Sequence, residues 1–314
     1  MKRVLASICA AALALSLAAC SSTASSSESS SAAEESSSAA STTEESSAAS
    51  DESTGASGSI TVVTREDGSG TRSAFIELTG VETDEGDMTI ATAQVANSTN
   101  NVMTSVQAEP SAIGYISMGS LNETVKGIAV DGVEPTTDNV KAGTYPISRP
   151  FNIVTNGDIS AQDELTQDFV NWVMSADGQA ICTEEGYIGD DAAEAFTSTQ
   201  PSGSLAVGGS SSVSPVMEKL IETYMADVNP NASIDLQTTD STNGVTGALD
   251  GTYQVGMASR AISDDEASQG AVSTQLAMDG IAVIVNTENA VSNISMDSLR
   301  GIYTGEVTDW ADVQ

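Results

Sequence analysis

From Ile60 onward the chain alternates between two kinds of apolar pattern. Short β-branched or continuous apolar runs read as strands: Ile60–Thr64, the start of Ala112–Leu121, Val125–Val130, Leu205–Val207 and Asp279–Asn286. Between them, apolar residues recur at helical spacing. Leu165, Phe169, Trp172 and Val173 fall at i, i+4, i+7 and i+8. Val213, Val216, Met217, Leu220, Ile221 and Tyr224 do the same behind Pro215, which suits a first helical turn. Tyr145–Thr155, with Pro146 and Pro150, reads as a stiff crossing segment that ends in a strand, and Met296–Trp310 as a helix and turn. Strand and helix alternating in this way predict an α/β body. Its two runs, 60–191 and 205–314, are joined by the connector Asp191–Ser204.

Three helix starts are rich in hydroxyl groups. The first is REDGSGTR, Arg65–Arg72, between the Ile60 strand and a helical run from Ser73. Such a turn leaves the first N–H groups of the helix unpaired, and Gly68 and Gly70 let the backbone approach a ligand closely. Arg65 adds a planar fork of donors. The pattern fits an anion cradle, and equally an ordinary helix start beside a surface arginine. GGSSSVSP repeats the layout, with Ser211 and Ser212 where an N-cap hydroxyl belongs, and Asp240, Ser241 and Thr242 open a third helix. With Arg65, and with Arg260 at the end of QVGMASR, these starts make an oxyanion shell.

The N-terminus has a different character. Residues 1–19 carry Lys2, Arg3 and an apolar run too short for a comfortable membrane span, which reads as a secretory signal. LAAC, Leu17–Cys20, resembles the bacterial lipobox and implies cleavage before Cys20 and lipid attachment to it; the alternative is an ordinary cleaved signal. Ser21–Ser59 is almost wholly Ser, Ala, Thr and Glu, so residues 20–59 are expected to form a lipidated, disordered tether.

Composition narrows the chemistry. Forty-four acidic residues against 10 basic ones give a formal net charge of −34, which excludes a nucleic-acid backbone as partner. It does not exclude a small anion in a closed site, because outer carboxylates are screened over about 8–10 Å. With no histidine and no GxSxG elbow, an esterase or phosphatase has neither base nor nucleophile motif, and the chain is read as not an enzyme, without cofactor or metal. No GxxxxGK[ST] motif is present, so any transport energy comes from partners. Cys182 is the only cysteine of the body and reads as a buried apolar residue.

Taken together, REDGSGTRSAF, AIGYISMGSL, YPISRPFNIVT, GQAICTEEGYI, GSSSVSPVMEKL, VGMASR, DGIAVIVN and YTGEVTDW resemble the phosphate-binding lipoprotein of the bacterial high-affinity phosphate ABC importer. The resemblance covers nearly all of the body. It implies a two-lobed periplasmic-binding-protein-like fold, type II-like, with a two-segment hinge at about Tyr145–Ile153 and Asp279–Asn286. One lobe would hold 146–283, the other 60–145 with 284–314. In that family the GSSSVSP-like unit normally comes first, so the halves here look circularly permuted, with the usual ends joined through 191–204; a fragment of a tandem array is the alternative. The resemblance further implies phosphate donors at Arg65, Ser69, Gly70, Thr71, Ser211, Ser212 and Ser241, with Arg260 as a further candidate. Asp240 is proposed as the acceptor for the proton that phosphate retains and sulfate lacks, and Asp67 as an alternative. The implied setting is the outer face of the cell membrane, through a lipid anchor, as a monomer serving an ABC permease and its ATPase. Binding of sulfate or molybdate, and a surface sensing or adhesion module, are the competing readings.

Overall fold

The computed structural model describes residues 58–313. The signal segment, Cys20 and the Ser/Glu-rich tether up to residue 57 lie outside the described residues; Gly58 and Ser59, expected to end the tether, instead pair with the 309–310 segment, Ser59 bridging Asp309 and Gly58 O accepting the Trp310 N–H at 3.0 Å. The elements follow in order: β1 Thr61–Arg65, α1 Gly70–Thr79, β2 Glu82–Thr83, β3 Gly86–Asp87, β4 Gln94–Ala96, α2 Thr99–Ala108, β5 Ala112–Ser117, β6 Lys126–Val130 and α3 Thr137–Lys141. Then come β7 Ser148–Asn156, α4 Glu164–Val173, α5 Ala176–Glu184, β8 Gly203–Ser210, α6 Ser214–Thr223, β9 Ala232–Thr239 and α7 Ser241–Asp250. The last are β10 Val255–Ala258, α8 Asp264–Ser268, β11 Ala271–Val285, β12 Asn293–Ile294 and α9 Met296–Thr304.

The main sheet runs β4-β1-β5-β11-β7-β10-β8-β9, with β6 and β12 branching from β11. It contains two parallel units, β4-β1-β5 and β9-β8-β10. Two long antiparallel strands link them. β11 pairs with β5 and β6 through Ile281–Val285 and with β7 through Ala271–Gly280. Its 15 residues exceed the apolar run visible as DGIAVIVN, because upstream AVSTQLAM pairs along β7 although it is only partly apolar.

Two hydrophobic clusters flank this junction. One gathers Val63, Phe75, Ile113 and Tyr115 with Ile284, Leu299 and Trp310. The other gathers Phe151, Phe169 and Trp172 with Val207, Leu220 and Leu276. α4 buries Leu165, Phe169, Trp172 and Val173, the face its spacing predicts. Cys182 is fully buried in the second cluster, and burial pushes its thiol up to about 12. α6 begins later than expected: its N-cap is Val213, with no side-chain cap, so Ser211 and Ser212 precede the helix and do not cap it. Their hydroxyls are engaged elsewhere.

Candidate functional site

The carboxyl ends of parallel strands are where open α/β sheets place ligands, and here the ends of β1, β8 and β10 meet. Arg65 closes β1. Its backbone N–H donates to the Tyr115 hydroxyl at 3.3 Å, and that hydroxyl also pairs with Thr64 at 2.8 Å. Tyr115 stacks on Phe75 of α1 with ring centroids 3.9 Å apart, so strand end and helix are fixed as one piece. The Arg65 guanidinium donates to both oxygens of Glu66, from Nε at 2.8 Å and Nη2 at 2.7 Å. Asp67 does not orient it. That carboxylate is exposed and bound by Arg72 Nη1 at 2.9 Å.

Arg65 Nη2 also donates to the Ser211 hydroxyl, 146 residues away, at 3.1 Å. The same oxygen receives the backbone N–H of Thr99, the first residue of α2, at 3.3 Å. Ser212 shares hydroxyl hydrogen bonds with Thr71 at 2.7 Å and with Thr99 at 3.2 Å. Ser241 accepts from the Ser259 N–H at 2.9 Å, and the Ser259 hydroxyl pairs with those of Ser210 at 2.9 Å and Ser241 at 3.3 Å. Gly70 closes the ring: a Cβ there would lie 2.3 Å from Ser241 Oγ and 2.8 Å from Ser259 Oγ. The N-termini of α1, α2, α6 and α7 thus converge, each bringing first-turn N–H groups and the positive end of its dipole. Arg65, Ser69, Thr71, Ser212, Ser241 and Ser259 are all at most 1% exposed. Within this closed cluster Arg65 Nη1 is buried and has no hydrogen-bond partner among the described residues.

Ser69 is the N-cap of α1, its hydroxyl accepting from Arg72 N–H at 3.3 Å. Arg260 is not drawn into the hydroxyl ring: Nη1 and Nη2 hold Glu266 at 2.8 and 2.7 Å, and Nη2 reaches Thr242 Oγ1 at 3.5 Å. That pairing, with hydrogen bonds from Ser263, holds the Glu266 carboxyl below its usual range. Asp240 caps α7, accepting from Asn243 N–H at 2.8 Å and side-chain amide at 2.5 Å. Its carboxylate also packs on Gly68, where a Cβ would be 2.6 Å away, and Thr242 N–H donates to Gly68 O at 3.1 Å.

Thr99, Ser210 and Ser259 are participants that the strand–turn–helix reading passed over. The α2 start was findable, since Ser98 precedes Val102, Met103 and Val106 at helical spacing. Arg149 is another. It lies under the cluster and donates from Nη1 to Ser259 O at 3.1 Å. Each guanidinium has its own carboxylate, Glu66 for Arg65 and Asp279 for Arg149, so the charge at the site is balanced, and its free capacity is Arg65 Nη1 together with the neutral donors around it.

A family profile described as a PBP superfamily domain matches residues 31–177 and 194–314. The phosphate-binding protein PstS 2 of Streptococcus agalactiae is 45% identical over 266 residues, covering 83% of this chain and 90% of its own. A phosphate-binding protein of a phosphate ABC transporter from Streptococcus pneumoniae superposes with a TM-score of 0.66 at 40% identity, over 82% of this chain and all of its own. The phosphate-binding protein PstS of Bacillus subtilis is 35% identical over 141 residues, 44% of each chain.

Proposed function

This chain belongs to the PBP superfamily and, within it, to the PstS phosphate-binding proteins, and on that premise we propose that it captures inorganic phosphate for an ABC importer. The observation that carries the reading is Arg65 Nη1, a buried cationic donor without a partner among the described residues, set in hydroxyls and helix N-termini from four stretches of chain. Buried donors of this kind are normally satisfied, and leaving one open is costly. A tetrahedral oxyanion satisfies it and takes up the neighbouring N–H and O–H groups as well. The donors in this reading are Arg65, Ser69, Gly70, Thr71, Ser211, Ser212 and Ser241, joined by Thr99 and Ser259. Asp240 and Arg260 act at the rim, Asp240 as the candidate acceptor for a phosphate proton.

The protein works outside the cytoplasm in this reading, held by lipid on Cys20 and monomeric, delivering phosphate to a permease driven by a separate ATPase. Among the described residues no helix is long and apolar enough to cross a membrane. The two apolar clusters act as lobes, and β7 with β11 as the crossings about which they close. Circular permutation is part of the proposal. The body's first and last segments are hydrogen-bonded, Ile60 N–H to Thr308 O at 2.9 Å and Trp310 N–H to Gly58 O at 3.0 Å. The streptococcal relatives match across both halves, and the Bacillus protein across less than one half, as a difference in order between them would produce.

Calorimetry of the protein with phosphate, sulfate and molybdate tests the assignment. Phosphate is expected to bind at about micromolar Kd or tighter, and Arg65→Lys, which loses the fork, to weaken it about 30-fold or more. Tighter binding of sulfate or molybdate than of phosphate would reassign the ligand, and no binding of any of them would remove the reading.

A further inference from the structure

Arg149 and Asp279 face each other in register on β7 and β11, the two strands that join the parallel units. Arg149 Nε and Nη2 donate to Asp279 Oδ2 at 3.3 and 3.1 Å. The other carboxylate oxygen accepts the Ser117 hydroxyl of β5 at 2.9 Å. Arg149 Nη1 reaches the opposite way, to the Ser259 carbonyl. One continuous run of hydrogen bonds therefore leads from β5 through both crossing strands to a residue of the hydroxyl ring.

An ion pair is an expensive way to fill this space. The two side chains are 1% and 0% exposed, and the guanidinium lies over the Phe151 ring, 5.2 Å from its centroid. Burial pushes the Asp279 carboxyl up and lowers Arg149 from its ordinary value, so the surroundings disfavour the charge on both partners. Apolar residues of similar volume are often no less stable at such a place. What they lack is direction: a planar guanidinium held on one side by a carboxylate presents its remaining N–H at a fixed angle.

We propose that Arg149, oriented by Asp279, is a positioning residue for the anion site, fixing Ser259, whose hydroxyl faces Gly70 with that of Ser241, and through it the Ser210 and Ser241 hydroxyls. The carbonyl of Ser259 is held from the crossing strands, while its N–H and hydroxyl hold Ser241 and Ser210. Movement of β7 against β11 therefore reaches the ring directly. The inference deepens the phosphate reading and rests on it for its ligand, but its local consequence can be measured without ligand.

Arg149→Met alone strands a buried carboxylate, so the informative variant is Arg149→Met with Asp279→Asn, which strands none. In the phosphate-free protein, amide hydrogen exchange at Met257–Arg260 is expected to speed about tenfold or more while that of α4 is unchanged. Phosphate affinity is expected to fall about 30-fold. Ser259→Ala, expected to cost about tenfold alone, is expected to cost less than about threefold on the double variant, because its hydroxyl is already displaced there. Unchanged exchange at Met257–Arg260, or a full tenfold further loss on adding Ser259→Ala, overturns the proposal. If the unmutated protein takes no phosphate yet exchange responds as described, the ligand assignment fails and the positioning role stands.

Discussion

The α-carbon of Gly70 faces Ser241 so closely that a methyl group there would lie 2.3 Å from the hydroxyl oxygen. Ser241 cannot yield easily, since its oxygen already accepts the Ser259 N–H at 2.9 Å. Gly70→Ala is therefore expected to prop apart the two sides of the ring. Overpacking of this sort costs about 1–3 kcal/mol, which reads as a loss of phosphate affinity of about tenfold or more. Alanine is a better helix former than glycine, so the phosphate-free protein should melt within a few degrees of the unmutated one. Calorimetry and thermal unfolding separate the two effects, and affinity within about twofold of the original would show that the approach is not limiting.

Asp168 of α4 supports the connector that precedes β8. It accepts from the Ser198 hydroxyl at 2.6 Å, the Tyr224 hydroxyl at 2.6 Å and Thr199 N–H at 2.8 Å. Burial pushes its carboxyl up, but these hydrogen bonds outweigh it and hold the carboxyl below its ordinary value. Asp168→Asn loses charge-assisted bonds and is expected to cost about 2 kcal/mol at pH 7. The sign of its pH dependence follows from the lowered value. The contribution is present above pH 3.8 and disappears as the folded-state carboxylate is protonated below that. Urea unfolding should show a lower midpoint with unchanged slope. Phosphate affinity should not move, because Tyr224 lies at the far end of α6, about 15 Å along the helix from the site. A change in affinity as large as the change in stability would contradict this separation.

The first cradle was legible because its chemistry is local. Arg65, Gly68, Ser69, Gly70 and Thr71 lie within one turn, and each residue type has a reason to be there that spacing alone reveals. Ser211, Ser212 and Ser241 were visible as hydroxyls at helix starts, though the first two were read as caps and instead reach across the chain to Arg65 and Thr71. Ser259 and Arg149 carry no such mark. Ser259 follows a four-residue strand and precedes the more conspicuous Arg260, while Arg149 sits in a run whose prolines mark only a stiff crossing. Their roles arise from sheet register, the pairing of Asp279 with Arg149 and of Met257 with Ile153, which links residues over 100 positions apart and is invisible to local pattern. The full length of β11 was hidden for the same reason: partner strands, not its own apolar period, hold Ala271–Met278 extended.

Asp279 gives the fold an unusual acid response. Burial pushes its carboxyl from an ordinary 3.8 up to about 6, against the opposing pull of Arg149 and the Ser117 hydroxyl. The other titratable groups that feel it, Tyr145 and Tyr187, are raised further above their ordinary range by their own burial and stay neutral throughout. Between pH 4 and 6 the folded protein therefore keeps a proton that the unfolded chain releases. For this group, stability is fully present below pH 3.8 and is lost as pH rises through about 6, at up to about 1.4 kcal/mol per pH unit. Asp163, Asp168 and Glu266 are lowered and act in the opposite direction, below their ordinary range. Comparison with Asp279→Asn isolates the effect, because the amide cannot titrate. The unfolding free energy of the native protein minus that of the variant is expected to fall steadily from pH 4 to 6.5 and to level off above it. A difference that is flat over that range, or that rises, would mean that Arg149 keeps Asp279 ionised well below pH 6 and that the pair is held by attraction rather than tolerated for its geometry.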